Sequence, residues 1–134
     1  MDTGVIRHED FKQLVDGLVG GSREVVGVVS KGKHFAFEVL DSADELQMAY
    51  DVTILPPKKY FLPVKGDLLK FKVRDAKSYE NVDDSIERVI VGVHPEDLAA
   101  IALLDKAHAD GESDGYYLSR REKCTIVGVD VKTP

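Results

Sequence analysis

The sequence predicts an α/β (or α+β) fold with a single mixed sheet and flanking helices. An N-terminal helical pattern followed by alternating apolar residues indicates a helix and a β-hairpin. Two continuous apolar runs, residues 89–93 and 125–129, then enclose a helical pattern, as expected for a βαβ unit with strands buried on both faces. Because 134 residues are about one domain, we expect residues 1–134 to form a single domain.

The first element is an amphipathic helix predicted over residues 8–19. Apolar side chains with helical spacing share one face there: Phe11, Leu14, Val15, Leu18 and Val19. The glycine pair at 20–21 ends the helix. Valines and an alternating run then predict a hairpin over residues 24–40, with its turn at 31–33. Ser42 and Glu45 have the spacing of a capping box, which predicts a short helical turn.

A proline-rich segment, ILPPKKYFLP at residues 54–63, follows the hairpin. Its three prolines fix their own φ and exclude the preceding residues from the helical region. We therefore expect an extended ribbon that is neither helix nor central strand. Beyond a turn at 66–67, the pattern predicts a strand over residues 68–73 with its lysines facing outward. Residues 74–86 are polar and lack apolar periodicity, which predicts a surface loop.

The last third of the chain predicts the βαβ unit. Pro95 suits the first position of a helix, and Glu96 and Asp97 suit the positive helix N-terminus. Residues 98–104 are apolar almost all round, so we expect this helix to be buried. A shorter helix is predicted near residues 116–121, and a second buried strand follows it.

Composition restricts the function classes. The net charge of −6 argues against nucleic acid as a partner, because phosphate contacts require a basic surface. The longest apolar run is far shorter than the ~20 residues of a membrane span, and the N-terminus lacks the pattern of a targeting segment. We therefore expect a cytoplasmic protein without membrane contact. The lone Cys124 excludes an internal disulfide and a cluster held only by cysteines of this chain, and a structural thiol is expected.

Two groups of side chains are candidates for ligand binding. His94, Glu96 and Asp97 follow a buried strand, where open α/β sheets bind ligands, which makes them candidates for a metal or acid/base site. The same residues also fit a plain helix start, which we prefer. The second group could hold an anion or form a solvated helix face; it consists of Tyr116, Tyr117, Arg120 and Arg121. Motifs for a nucleophile or a dinucleotide are missing from the sequence, which therefore assigns no catalytic residue and no metal ligand.

Three sequence blocks, taken in order, resemble a known family: ILPPKKYFLPVKGDLLKF, IVGVHPEDLAAIALLDKA and DGYYLSRREKCTIVGVD. They are similar to the N-terminal region of the sulfhydrogenase β subunit and of the anaerobic sulfite reductase A subunit, over about residues 50–134. These families are iron–sulfur electron-transfer proteins. The resemblance implies a part in an anaerobic redox complex, between a flavin-containing subunit and a catalytic hydrogenase or sulfite-reducing subunit.

In the family, a cysteine-rich, ferredoxin-like part with two [4Fe–4S] clusters follows these blocks. Glu96 stands where the family usually has a cysteine, and Val131 stands near the position of a later one. The resemblance therefore implies no cofactor in this chain and clusters only in the family's C-terminal part. We expect a non-catalytic domain or accessory subunit: either the N-terminal domain of a longer iron–sulfur protein or a short relative without clusters.

The proline-rich segment is the candidate docking surface for the iron–sulfur domain or for redox-complex subunits. Preset prolines limit the entropy lost on docking, and aromatic residues are frequent at binding hot spots. The candidate residues are Pro56, Pro57, Lys58, Lys59, Tyr60, Phe61 and Pro63. Alternatively, the segment crosses the domain's own sheet and buries its aromatic side chains there. A second function class, a small-molecule or nucleotide-binding α/β module with its site near residues 94–97, is the alternative hypothesis.

Overall fold

The computed structural model describes residues 2–131, and the side chains of all of these except residues 75–77. It contains three α-helices and six strands within this range. In chain order, the elements are α1 (His8–Val19), β1 (Glu24–Lys31), β2 (His34–Val39), β3 (Leu69–Lys72), β4 (Asp75–Asn81), β5 (Arg88–Val93), α2 (Pro95–Ala109), α3 (Gly115–Glu122) and β6 (Cys124–Gly128).

The main sheet has four strands in the order β2-β1-β5-β6. β1 pairs antiparallel with β2, and the parallel pairs β1–β5 and β5–β6 complete the sheet. Since α2 and α3 connect β5 to β6, the predicted βαβ unit is present. The α/β fold class is confirmed, and so are the N-terminal helix and the hairpin.

Alternation along the strands divides the core between the two faces of the main sheet. On one face, Val15 of α1 packs with Val25 of β1 and Val89 of β5. On the other face, Ile101 of α2 and Tyr117 of α3 pack around residues that include Ile90 of β5. The sheet is therefore the middle layer between α1 and the α2–α3 pair.

A bulge at Gly92 aligns the end of β5 with the second face. Gly92 has φ of 94°, a conformation that residues with a Cβ rarely adopt, and the pairing of β5 with β6 shifts register between Val91 and Val93. Because of this extra residue, Val93 joins the same core as Ile90. The hydroxyl of Tyr50 donates a hydrogen bond of 2.6 Å to the Gly92 carbonyl.

The prediction that the helix at residues 98–104 is buried is wrong. Ile101 is buried, but Leu103 is 72% exposed, and Ala99, Ala100 and Ala102 are exposed as well. A helix whose sequence is apolar all round is buried only if other elements cover all of its sides. α2 packs along one side, so its other side remains exposed. The strand at 124–128 is likewise not buried on both faces: β6 is an edge strand on which Thr125 and Val127 are exposed.

The predicted surface loop at residues 74–86 is also wrong in part, because β4 lies within it. β3 and β4 form a separate antiparallel pair outside the main sheet, so the prediction of a single sheet was incomplete. Cross-strand hydrogen bonds hold this pair, and such pairing requires no apolar periodicity where the side chains are exposed, as they are in β3.

The short turn predicted from Ser42 and Glu45 is present as a 3₁₀ helix at Ala43–Glu45. Its hydrogen bonds differ from those of a capping box. Ser42 Oγ accepts from the Asp44 backbone N–H at 3.2 Å, and Glu45 Oε2 accepts from the Asp41 N–H at 2.9 Å. None of the helices within residues 2–131 has the length and apolar character needed to cross a membrane.

Candidate functional site

The proline-rich segment is not extended throughout. Pro57–Tyr60 form a 3₁₀ helix, with Pro56 in the extended conformation before it. The prediction of a ribbon is therefore wrong for these four residues. Pro57 occupies the first helical position, where a missing N–H costs nothing, and the Leu62 N–H closes the turn on the Lys58 carbonyl at 2.9 Å.

Two side chains fasten this turn to β2. Lys59 Nζ donates a hydrogen bond of 2.6 Å to the Phe37 carbonyl, and the Tyr60 hydroxyl donates one of 3.0 Å to the same oxygen. Burial lowers the pKa of Lys59 and raises the pKa of Tyr60 to about 12. The Arg88 guanidinium of β5 lies over the Tyr60 ring, 4.8 Å from its centroid. Lys59 and Tyr60 therefore hold the turn against the main sheet.

Phe61 connects the segment to α3. Its side chain is fully buried, at 0% exposure, and meets the Tyr117 ring edge-on with the centroids 6.1 Å apart. The Arg121 guanidinium lies 5.6 Å from the Phe61 ring centroid, and Arg120 Nη1 donates to the Phe61 carbonyl at 3.3 Å. Phe61 is therefore a core residue here and cannot present its ring to a partner in this conformation.

Both arginines of α3 have carboxylate partners. Arg120 forms a two-pronged pair with Asp84, with distances of 2.8 and 3.1 Å. Arg121 Nε lies 3.0 Å from an oxygen of Asp105, and that carboxylate also accepts from the Tyr117 hydroxyl at 2.7 Å. Burial, with Asp105 next to it, raises the pKa of Tyr117. The predicted anion site is therefore already occupied by carboxylates of the chain.

Tyr116, the fourth residue of that group, reaches a different part of the molecule. Its hydroxyl donates a 2.7 Å hydrogen bond to the Leu68 carbonyl, just before β3. The side chain of Asp114 caps α3 by accepting from the backbone N–H groups of Tyr116 and Tyr117. Tyr116 therefore ties the base of the separate strand pair to α3.

The residues at 94–97 form a helix start, as preferred from the sequence. His94 is the N-cap of α2 and is 4% exposed, and its ring stacks on Tyr50 with centroids 4.0 Å apart and planes within 5°. His94 Nδ1 lies 3.5 Å from Glu96 Oε1. Burial raises the pKa of the Asp97 carboxyl, and the nearby Lys58 acts in the opposite direction. The structure thus brings the proline-rich segment close to the start of α2.

Three important partners were missed from the sequence. Tyr50, Asp84 and Asp105 pair with His94, Arg120 and Arg121, respectively. The Arg121–Asp105 pair is separated by 16 residues and the Arg120–Asp84 pair by 36, so no helical or strand spacing connects them. Only opposite charge could have suggested these pairs, and the chain has many such combinations.

Two observations in the described part of the chain concern metal binding. Among those residues, no three or more His, Cys, Asp or Glu side chains are grouped to hold a metal ion. Cys124 is buried, and burial raises the pKa of its thiol to about 11. A thiol with that pKa is protonated near pH 7, whereas metals bind the thiolate.

Some residues around the turn are exposed. On its two sides, aliphatic side chains reach solvent although the turn itself is anchored: Ile54 and Leu55 before it, Leu62 and Val64 after it. We call these four residues the flank. Lys58 and Pro63 are exposed next to them. The flank, with Lys58 and Pro63, is therefore the exposed surface around the turn that a partner could reach.

A comparison with curated proteins found the sulfhydrogenase 2 subunit beta of Pyrococcus furiosus, which is 36% identical over 124 residues. The match covers 92% of this chain and 36% of that protein, so the chain spans about a third of the relative's length. No family model matches the chain, and no solved structure matches it.

Proposed function

The chain belongs to the sulfhydrogenase β-subunit family, and from this premise we propose that it is a non-catalytic part of an electron-transfer subunit in a hydrogenase-type redox complex. The observation that carries the proposal is the 36% identity maintained over 92% of the chain. The match lies within a relative about three times as long, whose remaining length has no counterpart among these residues.

The contacts of the polar residues favour a non-catalytic role for this chain. The candidate acid/base residue His94 is stacked on Tyr50, both arginines of α3 are paired with carboxylates, and Cys124 is a buried thiol. Each of these groups therefore has a partner within the chain or a buried position. We infer that any cluster of the complex is held by residues outside this chain.

The test of this proposal is the composition of the complex. A tagged copy of the chain, expressed in its native host, is expected to co-purify with hydrogenase-type redox subunits identified by mass spectrometry. The purified chain alone is expected to be colourless and free of iron by metal analysis. Visible absorbance that bleaches when dithionite is added would overturn the proposal, and so would co-purification with proteins that carry no redox centre.

We propose further that the partner docks on the flank. Lys59, Tyr60 and Phe61 anchor the turn from inside, so Ile54, Leu55 and Leu62 are presented on a fixed backbone, which limits the entropy lost on binding. Apolar side chains held in this way are typical of interface cores, and the exposed Lys58 suits their polar rim.

The double variant Ile54→Ser/Leu55→Ser tests the flank. We expect it to lose most of the co-purifying partner while its melting temperature changes little, because both side chains are exposed. The matched control is Val5→Ser/Ile6→Ser, which removes another adjacent pair of exposed aliphatic residues. Retention of the partner by the flank variant, or its equal loss in the control, would refute docking at this surface.

The small-molecule-binding alternative keeps one supporting observation. The pKa of the Asp97 carboxyl is raised by burial, beside His94 at the carboxyl end of β5, and shifted carboxylates often mark ligand sites. A thermal-shift screen with flavins, nicotinamide nucleotides and divalent metals tests it. A stabilisation of several degrees by one ligand, abolished in Asp97→Asn, would favour this function over docking.

A further inference from the structure

The pair of β3 and β4 presents aromatic side chains to solvent. We call residues 69–81 the hairpin arm. Phe71 lies directly opposite Tyr79 across the pair, and the two side chains are 67% and 69% exposed. Residues two apart on a strand point to the same face, so Leu69, which is also exposed, extends the apolar face beside Phe71.

The hairpin arm is attached to the rest of the molecule at its base. The Val82 N–H and the Tyr116 hydroxyl both donate to the Leu68 carbonyl, at 3.0 and 2.7 Å. All four residues of β3 are exposed along their length. A two-stranded pair of this kind is only marginally stable in water by itself, so an aromatic face left without a layer over it favours a binding role.

The charge of this region differs from that of the rest of the chain. Residues 64–82 contain five lysine or arginine residues and three acidic ones, a net charge of +2. Because the whole chain has a net charge of −6, the remaining residues have a net charge of −8. Lys70 and Lys72 alternate with Phe71 and therefore point to the reverse face of β3. Two like-charged hairpin arms repel each other, which disfavours a second copy of the arm as the occupant.

We propose that the hairpin arm docks on another protein whose surface has an apolar pocket within an acidic rim. Phe71 and Tyr79 fill the pocket, where aromatic residues contribute most of the binding energy. The lysines on the reverse face attract the partner over a longer range and raise the association rate. This inference goes beyond the proposed function, because it concerns a different surface and does not require the partner to be a redox subunit.

A cross-link identifies the occupant. In the full chain, Phe71 is replaced by the photoreactive residue benzoylphenylalanine, and the chain is irradiated in its native host. We expect one protein product, with the link in a segment rich in Asp and Glu. The control carries the same group at Leu103, an apolar side chain on α2 that is as exposed as Phe71. A link to nucleic acid, to lipid or to a second copy of this chain would overturn the proposal, as would a yield no higher than that of the Leu103 control.

Binding kinetics with the purified partner that the cross-link identifies separate the contribution of the aromatic residues from that of the lysines. The double variant Phe71→Ser/Tyr79→Ser is expected to raise the dissociation rate by roughly tenfold or more. The double variant Lys70→Glu/Lys72→Glu is expected to lower the association rate by roughly tenfold at low salt, with little effect at about 1 M salt. Unchanged rates in both variants would refute the proposal, and so would a large loss of thermal stability in either.

The two proposals fail in distinguishable ways. If only the flank is wrong, Ile54→Ser/Leu55→Ser keeps the redox partner, while the cross-link at Phe71 still forms. If only the hairpin arm is wrong, the cross-link is absent, while the flank variant still loses its partner. Each surface is therefore tested by a variant that leaves the other intact.

Discussion

The proline-rich segment and the hairpin arm use similar residues for opposite purposes. Both carry aromatic residues beside lysines, as in Lys59-Tyr60-Phe61 and Lys70-Phe71-Lys72. In the first, Phe61 is fully buried and Lys59 donates to a backbone carbonyl of β2. In the second, Phe71 and the lysines on either side are exposed.

The difference lies in what each segment meets. The proline-rich segment passes an edge strand whose Phe37 carbonyl accepts two side-chain donors, and α3 closes over Phe61. β3 and β4 of the hairpin arm pair with each other in a separate sheet, and this pairing leaves Phe71 and Tyr79 outside the core. An aromatic residue beside a lysine is therefore no guide to burial until the neighbouring elements are known.

The largest expected effect distinguishes the two phenylalanines. Phe61→Ala removes a fully buried ring and leaves a cavity, so we expect a loss of about 3–5 kcal/mol in the free energy of unfolding. Phe71→Ala, the matched control, is expected to cost less than about 0.5 kcal/mol because the ring is mostly exposed. Denaturant unfolding of both variants measures this contrast. Equal losses would show that the hairpin arm packs against the body as Phe61 does.

A smaller effect is expected for the two tyrosines. Tyr60→Phe removes one hydrogen bond to the Phe37 carbonyl and should cost about 1 kcal/mol, whereas Tyr79→Phe should be neutral. The folded pKa of Tyr60, about 12, is above its ordinary value of 10.0, so the unfolded chain ionises first. The contribution of this pKa shift to the free energy of unfolding is fully present below about pH 10 and is lost as the pH rises towards about 12.

The pH dependence gives the tyrosine prediction a second measurement. As the pH rises from about 10 to about 12, the wild type is expected to lose stability because Tyr60 ionises more readily in the unfolded chain. Tyr60→Phe has no hydroxyl at this position, so the difference between the two unfolding free energies should shrink. Unfolding in urea at several alkaline pH values measures this. A constant difference across that range would show that the Tyr60 hydroxyl is not buried against β2.

The smallest effect concerns the connection between the hairpin arm and β5. Asp83 accepts from the Ser85 N–H at 2.9 Å and from Ser119 of α3 at 3.1 Å, and its contacts with Ser85 lower its pKa to about 2. Because the folded pKa is depressed, its contribution is present above the ordinary value of 3.8 and is lost as the pH falls through about 2.

The variant Asp83→Asn is therefore expected to melt slightly below the wild type at pH 5, and this difference should shrink as the pH falls through about 2. Melting curves at a series of acid pH values measure the difference. A difference that persists at the lowest pH would mean that Asp83 acts through its shape and not through its charge. Asp83 is exposed, so the effect should be small and weakened by salt.

Local patterns predicted most of the fold. α1 and the β1–β2 hairpin follow from periodicity that a single segment carries, and Pro95 marked the start of α2 correctly. β4 was missed because its pairing with β3 depends on backbone hydrogen bonds, which leave no apolar signal in an exposed pair. The burial of α2 was overestimated because apolar composition does not reveal how many neighbours a helix has.

The sequence indicated which residues to consider for the candidate site, but it did not predict which of them contact one another. The structure does bring the proline-rich segment together with α3 and the start of α2, through Phe61–Tyr117 and through Lys58 near Asp97. It assigns Arg120 and Arg121 to ion pairs with Asp84 and Asp105, which lie far away along the chain. Those pairings depend on how the helices pack, so no local spacing predicts them.

By itself, the sequence determined the order and type of most elements, the family resemblance and the presence of a single thiol, because each depends on residues near one another in the chain or on a simple count. Tertiary structure alone decided which aromatic and basic residues are internal. Burial and ion pairing are properties of the space around a side chain, and that space is formed by segments that meet only after folding. Phe61 lies inside and Phe71 outside for this reason.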